Sequence, residues 1–370
     1  MRVTTRYTGR TVLRTIGAHI VLASQLVTCA AAARPAEMNA ATETALVIPF
    51  QLLGNQVFVE VSVDGARPLT FILDTGAPRN TVGLRQARSF GLPLQSLGKM
   101  LAGVGANESD VYVVAREVTL RLGGVSLASQ VLFAIPLDLP PECRVPAAGR
   151  ADSAAGVSGV LSGHMEGILG GPLFHRFVVD IDYAARRITL HEPSGYRYAG
   201  RGEIQPIRMA GEMPVLDARV ATATGRSATV RLGVDLGAAS VITINRQFAD
   251  SNQIVPPPAA LRATNECGIG GAAAGTSFEG PLDTVQIGRI TLLNPMTFFR
   301  RNAVGQGFDG LLGGGALRDF RVIFDYSRRR MILERPSTPA TTRLGAGDVN
   351  ARHVSGIKAS VDQVPPPPRP

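Results

Sequence analysis

The 370-residue sequence contains no tryptophan, three cysteines, five histidines and two lysines, Lys99 and Lys358. So few cysteines rule out a small scaffold stapled by disulfides. His164, His175 and His191 lack ligand spacing and no cysteine has a His or Cys neighbour, so no metal site is expected. No serine stands in a Gly-x-Ser-x-Gly elbow, which removes the usual serine-nucleophile arrangement. Apolar runs are short: the N-terminal stretch from Thr11 to Val27 is broken by Arg14 and His19. It falls short of the roughly 20 residues a membrane helix needs, so no integral span is expected in the mature protein. The net charge is +9, but the basic residues are spread along the chain without interleaved aromatics, so no nucleic-acid partner is expected.

What the chain does have is 45% hydrophobic residues, 41 glycines and 25 prolines. This composition allows one large or two medium cores and favours short strands joined by tight turns. A mostly β protein is expected. Residues 1–33 have the parts of a secretory signal: Arg2, Arg6, Arg10 and Arg14, an apolar stretch, then small residues Ala30 to Ala33. Their loss leaves 9 minus 4, or +5, on an exported chain, periplasmic or secreted, of bacterial type. Leu26-Val27-Thr28-Cys29 resembles a lipoprotein box, but Thr28 stands where a smaller residue is usual, which disfavours anchoring at Cys29. Cys143 and Cys267 then remain, and their spacing fits a disulfide or two separate thiols.

The most informative stretch is Phe71-Ile72-Leu73-Asp74-Thr75-Gly76-Ala77, an apolar strand running into a carboxylate, a hydroxyl and a glycine. At an offset of 161, Leu232-Gly233-Val234-Asp235-Leu236-Gly237-Ala238 repeats the design. The order of later features repeats too. Gly103-Val104-Gly105 matches Gly268-Ile269-Gly270 at an offset of 165. Gly167-Ile168-Leu169-Gly170 matches Gly310-Leu311-Leu312-Gly313 at 143, as Asp182-Tyr183 matches Asp325-Tyr326. The drop from 165 to 143 locates 22 extra residues in the first half, within the irregular loop 136–163. The expected plan is an N-terminal β lobe over 45–193, a connection over 194–204, a C-terminal β lobe over 205–336 and a flexible tail over 337–370.

Two acids on equivalent rigid loops can share one proton, because two like charges about 3 Å apart cannot both ionise. The ionised acid takes a proton from a water between them, and the protonated one donates to a scissile carbonyl. Asp74 and Asp235 form the candidate catalytic pair, and this chemistry needs no cofactor. Glu166 and Asp309, which precede matching glycines, read as acids that stabilise loops.

On these motifs the chain, from about Leu46 to Glu334, resembles the retropepsin-like aspartic peptidases, specifically single-chain, two-lobed bacterial members with pseudo-twofold symmetry and a cleft between the lobes. The resemblance implies an endopeptidase acting on peptide or protein substrate, monomeric because both Asp loops lie in one chain. It makes Thr75, Gly76, Ala77, Leu236, Gly237 and Ala238 the loop support. Ile168-Leu169-Gly170 and Leu311-Leu312-Gly313 become the elements threaded behind the loops, and Gly103-Val104-Gly105 and Gly268-Ile269-Gly270 the flap tips. It also implies a threonine after each Asp that bonds to the opposite lobe; Thr75 can do so and Leu236 cannot. The alternative is a noncatalytic peptide-binding or regulatory protein that keeps the fold. Ala77 and Ala238 add no side-chain donor to either carboxylate, which favours a working pH above about 3.

Overall fold

The computed structural model describes residues 46–100, 108–138, 165–264, 267–269, 271–272, 277–301, 305 and 307–336, all within one compact unit. The leader with Cys29, the first flap tip (Gly103, Val104, Gly105), Cys143, Gly270 and the tail lie outside the described residues, as does the side chain of Cys267.

The chain is mostly β and folds as two lobes with the same strand order. In the first, alternation in Val57, Val59, Val61 and Val63 buries one face of strand Gln56–Val63. Asp64 and Gly65, both with positive φ, turn it into strand Leu69–Leu73, whose side chains are buried apart from half-buried Thr70. Strand Gly167–Leu169 enters parallel to Leu69–Leu73 and antiparallel to Asn80–Gly83, so it lies between the strands on either side of the Asp74 loop. The glycines that flank Ile168 and Leu169 on this path leave no room for a side chain. A Cβ on Gly167 would lie 2.4 Å from the Phe71 ring, and one on Gly170 would lie 2.5 Å from the Ala77 carbonyl oxygen.

The second lobe repeats the construction. Strand Met213–Ala221 pairs with Ser227–Asp235, and Gly310–Gly313 runs parallel to the latter and antiparallel to Ile242–Asn245. In each lobe the inserted strand belongs to a ten-stranded sheet, and the two sheets match strand for strand. A six-stranded sheet joins the lobes, with Val178–Asp182 of the first paired antiparallel to Arg321–Asp325 of the second.

The stretch from Ile48 to Leu52 is divided between two strands: Leu46–Pro49 pairs with Arg187–His191 in the joining sheet, and Gln51–Leu53 pairs with Gln56–Phe58. Phe50 makes the break, because its N–H bonds the Arg186 carbonyl and its ring packs edge-on against Tyr183. Strand Glu203–Pro206 begins inside the stretch read as a connection and forms one edge of the joining sheet.

Candidate active site

Both Asp residues sit where a buried strand gives way to a turn whose backbone N–H groups point back at the carboxylate. Asp74 Oδ1 accepts from Gly76 N at 2.7 Å and Ala77 N at 3.2 Å; Asp235 Oδ1 accepts from Gly237 N at 2.9 Å and Ala238 N at 3.2 Å. Each carboxyl lies against the glycine of the opposite loop, which brings the two close together. The glycines make this approach possible. A Cβ on Gly237 would lie 2.5 Å from Asp74 Oδ2, and one on Gly76 would lie 2.9 Å from Asp235 Oδ1.

Burial raises the pKa of both carboxyls. In Asp74 this is partly offset by the Asp235 side chain and by backbone N–H groups of both loops. In Asp235 the charge of Asp74 adds to burial and holds the carboxyl well above the ordinary range. A pair in this condition keeps one proton between its two members.

The elements behind the loops act as struts. Gly171 N donates to the Ala77 carbonyl at 2.8 Å, and Gly314 N donates to the Ala238 carbonyl at 2.8 Å. Glu166 and Asp309 are clamps of the kind expected from their positions. Glu166 accepts from Thr70 N and Arg67, Asp309 from Arg231 N and its guanidinium, and both carboxyls lie below the ordinary range. Burial raises each, and the arginine and backbone bonds outweigh it.

Across the lobes the lock is uneven. Thr75, fully buried, donates from Oγ1 to the Val234 carbonyl at 2.7 Å and accepts Leu236 N–H at 3.0 Å. Leu236 has no hydroxyl to return this pair of bonds; it is 1% exposed and packs into a core shared by both lobes. A lost buried hydrogen bond costs about 0.5–1.5 kcal/mol net, and full burial of a leucine contributes about 1.5–3 kcal/mol, so packing can offset it.

Three supporting residues have no strong sequence signal. Asn80, wholly buried, accepts Gly170 N–H at 3.0 Å and so ties the inserted strand to the Asp74 loop. Asn55 reads only as a turn residue, and its φ of 70° fits that, yet its Nδ2 donates to the Ala239 carbonyl at 2.8 Å in the other lobe. Gln56 Nε2 donates to the Gly237 carbonyl, also in the other lobe. Of the second flap candidate, Gly268 pairs with Gly271 in a short hairpin, and Ile269 packs against a first-lobe cluster that includes Phe58, Ile72 and Ile168. Strands Leu94–Met100 and Ser109–Val114, which flank the first flap candidate in sequence, pair antiparallel. Among the described residues no group of His, Cys, Asp and Glu could hold a metal ion, and no helix is long and apolar enough to cross a membrane.

Comparison with known proteins agrees with the sequence resemblance over part of the chain. Residues 59–171 match the profile of a family described as aspartyl protease. No curated protein matches the chain. Among solved structures, an aspartic proteinase from Irpex lacteus is similar at 14% identity and a TM-score of 0.47, over 80% of this chain and 99% of that one. The matched residues, 59–171, run from the strand before Asp74 to the glycines behind its loop, within a fold that is mostly β and two-lobed.

Proposed function

We propose that the protein is an exported aspartic endopeptidase that hydrolyses peptide bonds with a water molecule activated between Asp74 and Asp235. The observation that carries this reading is the pair itself: two half-buried carboxyls brought close together and each held by two backbone N–H groups on equivalent loops. The ionised member removes a proton from water as it attacks the carbonyl carbon, and the protonated member gives its proton to the carbonyl oxygen. The roles reverse as the C–N bond breaks and the amine takes a proton. An extended substrate lies across the two loops and is held through its backbone by the flap hairpins, a form of β-strand recognition. Export rests on the leader alone. The chain acts as a monomer, since it supplies both acids.

Incubation of the mature protein with a diverse peptide pool from pH 3 to 8, beside Asp74→Asn and Asp235→Asn, tests the reading. Internal cleavage that is lost in both variants supports it. Cleavage that persists in both overturns the dyad, and peptide binding without cleavage in the unmodified protein favours a noncatalytic binder.

A further inference from the structure

We propose that Gln56 is a positioning residue for Asp235, holding its loop from the opposite lobe where the hydroxyl that Thr75 has, and Leu236 lacks, leaves the lock one-sided. This rests on the peptidase reading above.

The argument starts from what each loop lacks. The Asp74 loop is tied within its own lobe by the Asn80 side chain, which accepts Gly170 N–H and donates to Gln130 Oε1 at 3.1 Å. By strand register the residue equivalent to Asn80 is Ile242, which has no side-chain donor or acceptor. The Asp235 loop is tied within its own lobe by backbone bonds, Gly314 N–H to the Ala238 carbonyl and Gly313 N–H to the Val241 carbonyl, and its side-chain ties come from the first lobe. Thr75 takes Leu236 N–H and bonds the Val234 carbonyl, Gln56 bonds the Gly237 carbonyl, and Asn55 bonds the Ala239 carbonyl while accepting from Arg318 at 2.7 Å. The Gly237 carbonyl shares its peptide with Ala238 N–H, which bonds Asp235 Oδ1, so the Gln56 bond grips one of the two peptides that orient the carboxylate.

The second lobe shows what this position looks like without that task. Phe58 pairs with Ile72, two residues before Asp74, and Val215 pairs with Gly233, two residues before Asp235. By that register Met213 is the counterpart of Gln56 and Glu212 that of Asn55. Met213 lies over Gly233 within an apolar cluster with Val215, Phe308 and Leu311. An apolar residue therefore fits this place in the fold. Gln56 is fully buried, and its Oε1 has no hydrogen-bond partner among the described residues. Burying an amide with one end unpaired is unfavourable, which points to its N–H, not its packing, as the reason it is there.

Two substitutions test this in the full mature chain. Gln56→Met installs the residue the other lobe already accepts. The expected result is a fall in kcat of about 10- to 100-fold, the range that small misplacement of a catalytic group produces, with KM within about twofold. Adding Leu236→Thr should recover most of the loss by restoring a reciprocal lock. Gln56→Glu should cleave at acid pH, where a protonated carboxyl donates to the Gly237 carbonyl as the amide does, and lose activity as pH rises and that proton leaves. Amide hydrogen exchange gives a readout independent of cleavage: residues 236–239 should exchange faster in Gln56→Met, with 75–77 unchanged. Unchanged exchange at 236–239, unchanged kcat, or a rise in KM alone would overturn the proposal. If the unmodified protein cleaves nothing, the peptidase reading fails, and exchange at 236–239 still decides whether Gln56 holds the loop.

Discussion

Thr75 and Leu236 occupy equivalent positions after the two acids, yet the Thr75 hydroxyl accepts Leu236 N–H at 3.0 Å while the Leu236 side chain gives no hydrogen bond back. One hydroxyl thus satisfies two buried backbone groups of the other lobe, Leu236 N–H and the Val234 carbonyl. Thr75→Val keeps the shape and strands both groups. At about 1–3 kcal/mol for each buried polar group left unpaired, a destabilisation of roughly 2–6 kcal/mol is expected. Thr75→Ser keeps the hydroxyl and should lose less than about 1.5 kcal/mol. Denaturant melts at neutral pH distinguish these, and equal losses for Val and Ser would place the contribution in packing instead.

Gly237→Ala probes the closeness of the two loops. The added methyl would sit 2.5 Å from both Cγ and Oδ2 of Asp74, a separation that requires the carboxyl to move. Cleavage should fall by about 100-fold or more, as displacement of reacting groups by about 1 Å can produce. Gly65→Ala, with no atom within 4 Å of its added Cβ but a φ of +78°, reports the cost of backbone strain alone. If both variants retain equal activity, the carboxyls are not in the arrangement described.

The doubled plan was legible because its strongest marks are local. Asp74 and Asp235 end buried strands, and the apolar-apolar-Gly runs at 168–170 and 311–313 carry glycines that the Asp loops press against. Glycines at close approaches leave a sequence trace because no other residue fits. The cross-lobe contacts left none. Asn55 lies 184 positions from Ala239 and Gln56 181 from Gly237, and a bond to a backbone carbonyl imposes no residue type on the partner that pattern reading could find. Asn55 also satisfied a local turn, which hid its second role. The split of the strand at Phe50 was equally invisible, since hydrophobic alternation does not reveal which of two sheets a strand joins.

The joining sheet carries a charged contact that should govern behaviour in acid. Asp180, 3% exposed, accepts from Arg321 Nε at 2.9 Å and Nη2 at 2.6 Å across the lobes, with His191 Nε2 at 3.7 Å. Burial pushes its carboxyl up, but His191 and Arg321 outweigh burial and hold it below the ordinary value. A depressed carboxylate stabilises the fold above its unfolded pKa, and that contribution is lost as pH falls through the folded one. Asp180→Asn should therefore cost about 1–3 kcal/mol at pH 7, and the difference from the unmodified protein should shrink by pH 3. Arg321 is itself part-exposed and can rehydrate, which keeps the loss below that of a closed buried pair. A loss of equal size at both pH values would assign it to something other than charge.

The dyad should have the opposite pH dependence. Burial raises both Asp74 and Asp235, and the Asp74 charge raises Asp235 further. The folded pair therefore keeps a proton at pH values where the unfolded carboxyls, with pKa about 3.9, have lost theirs. Stability from that proton is fully present below the unfolded value and is lost as pH rises through the folded one. Asp235→Asn supplies a permanent donor to Asp74 and removes the second charge. Its melting temperature should match that of the unmodified protein near pH 3 and exceed it at pH 7, by roughly 2–4 °C for each kcal/mol of relieved repulsion and burial. Cleavage should be absent at both. Scanning calorimetry across this range decides the matter: a variant that melts lower than the unmodified protein at pH 7 by as much as at pH 3 would show that Asp235 carries no raised proton, and the shared-proton mechanism would fall with it.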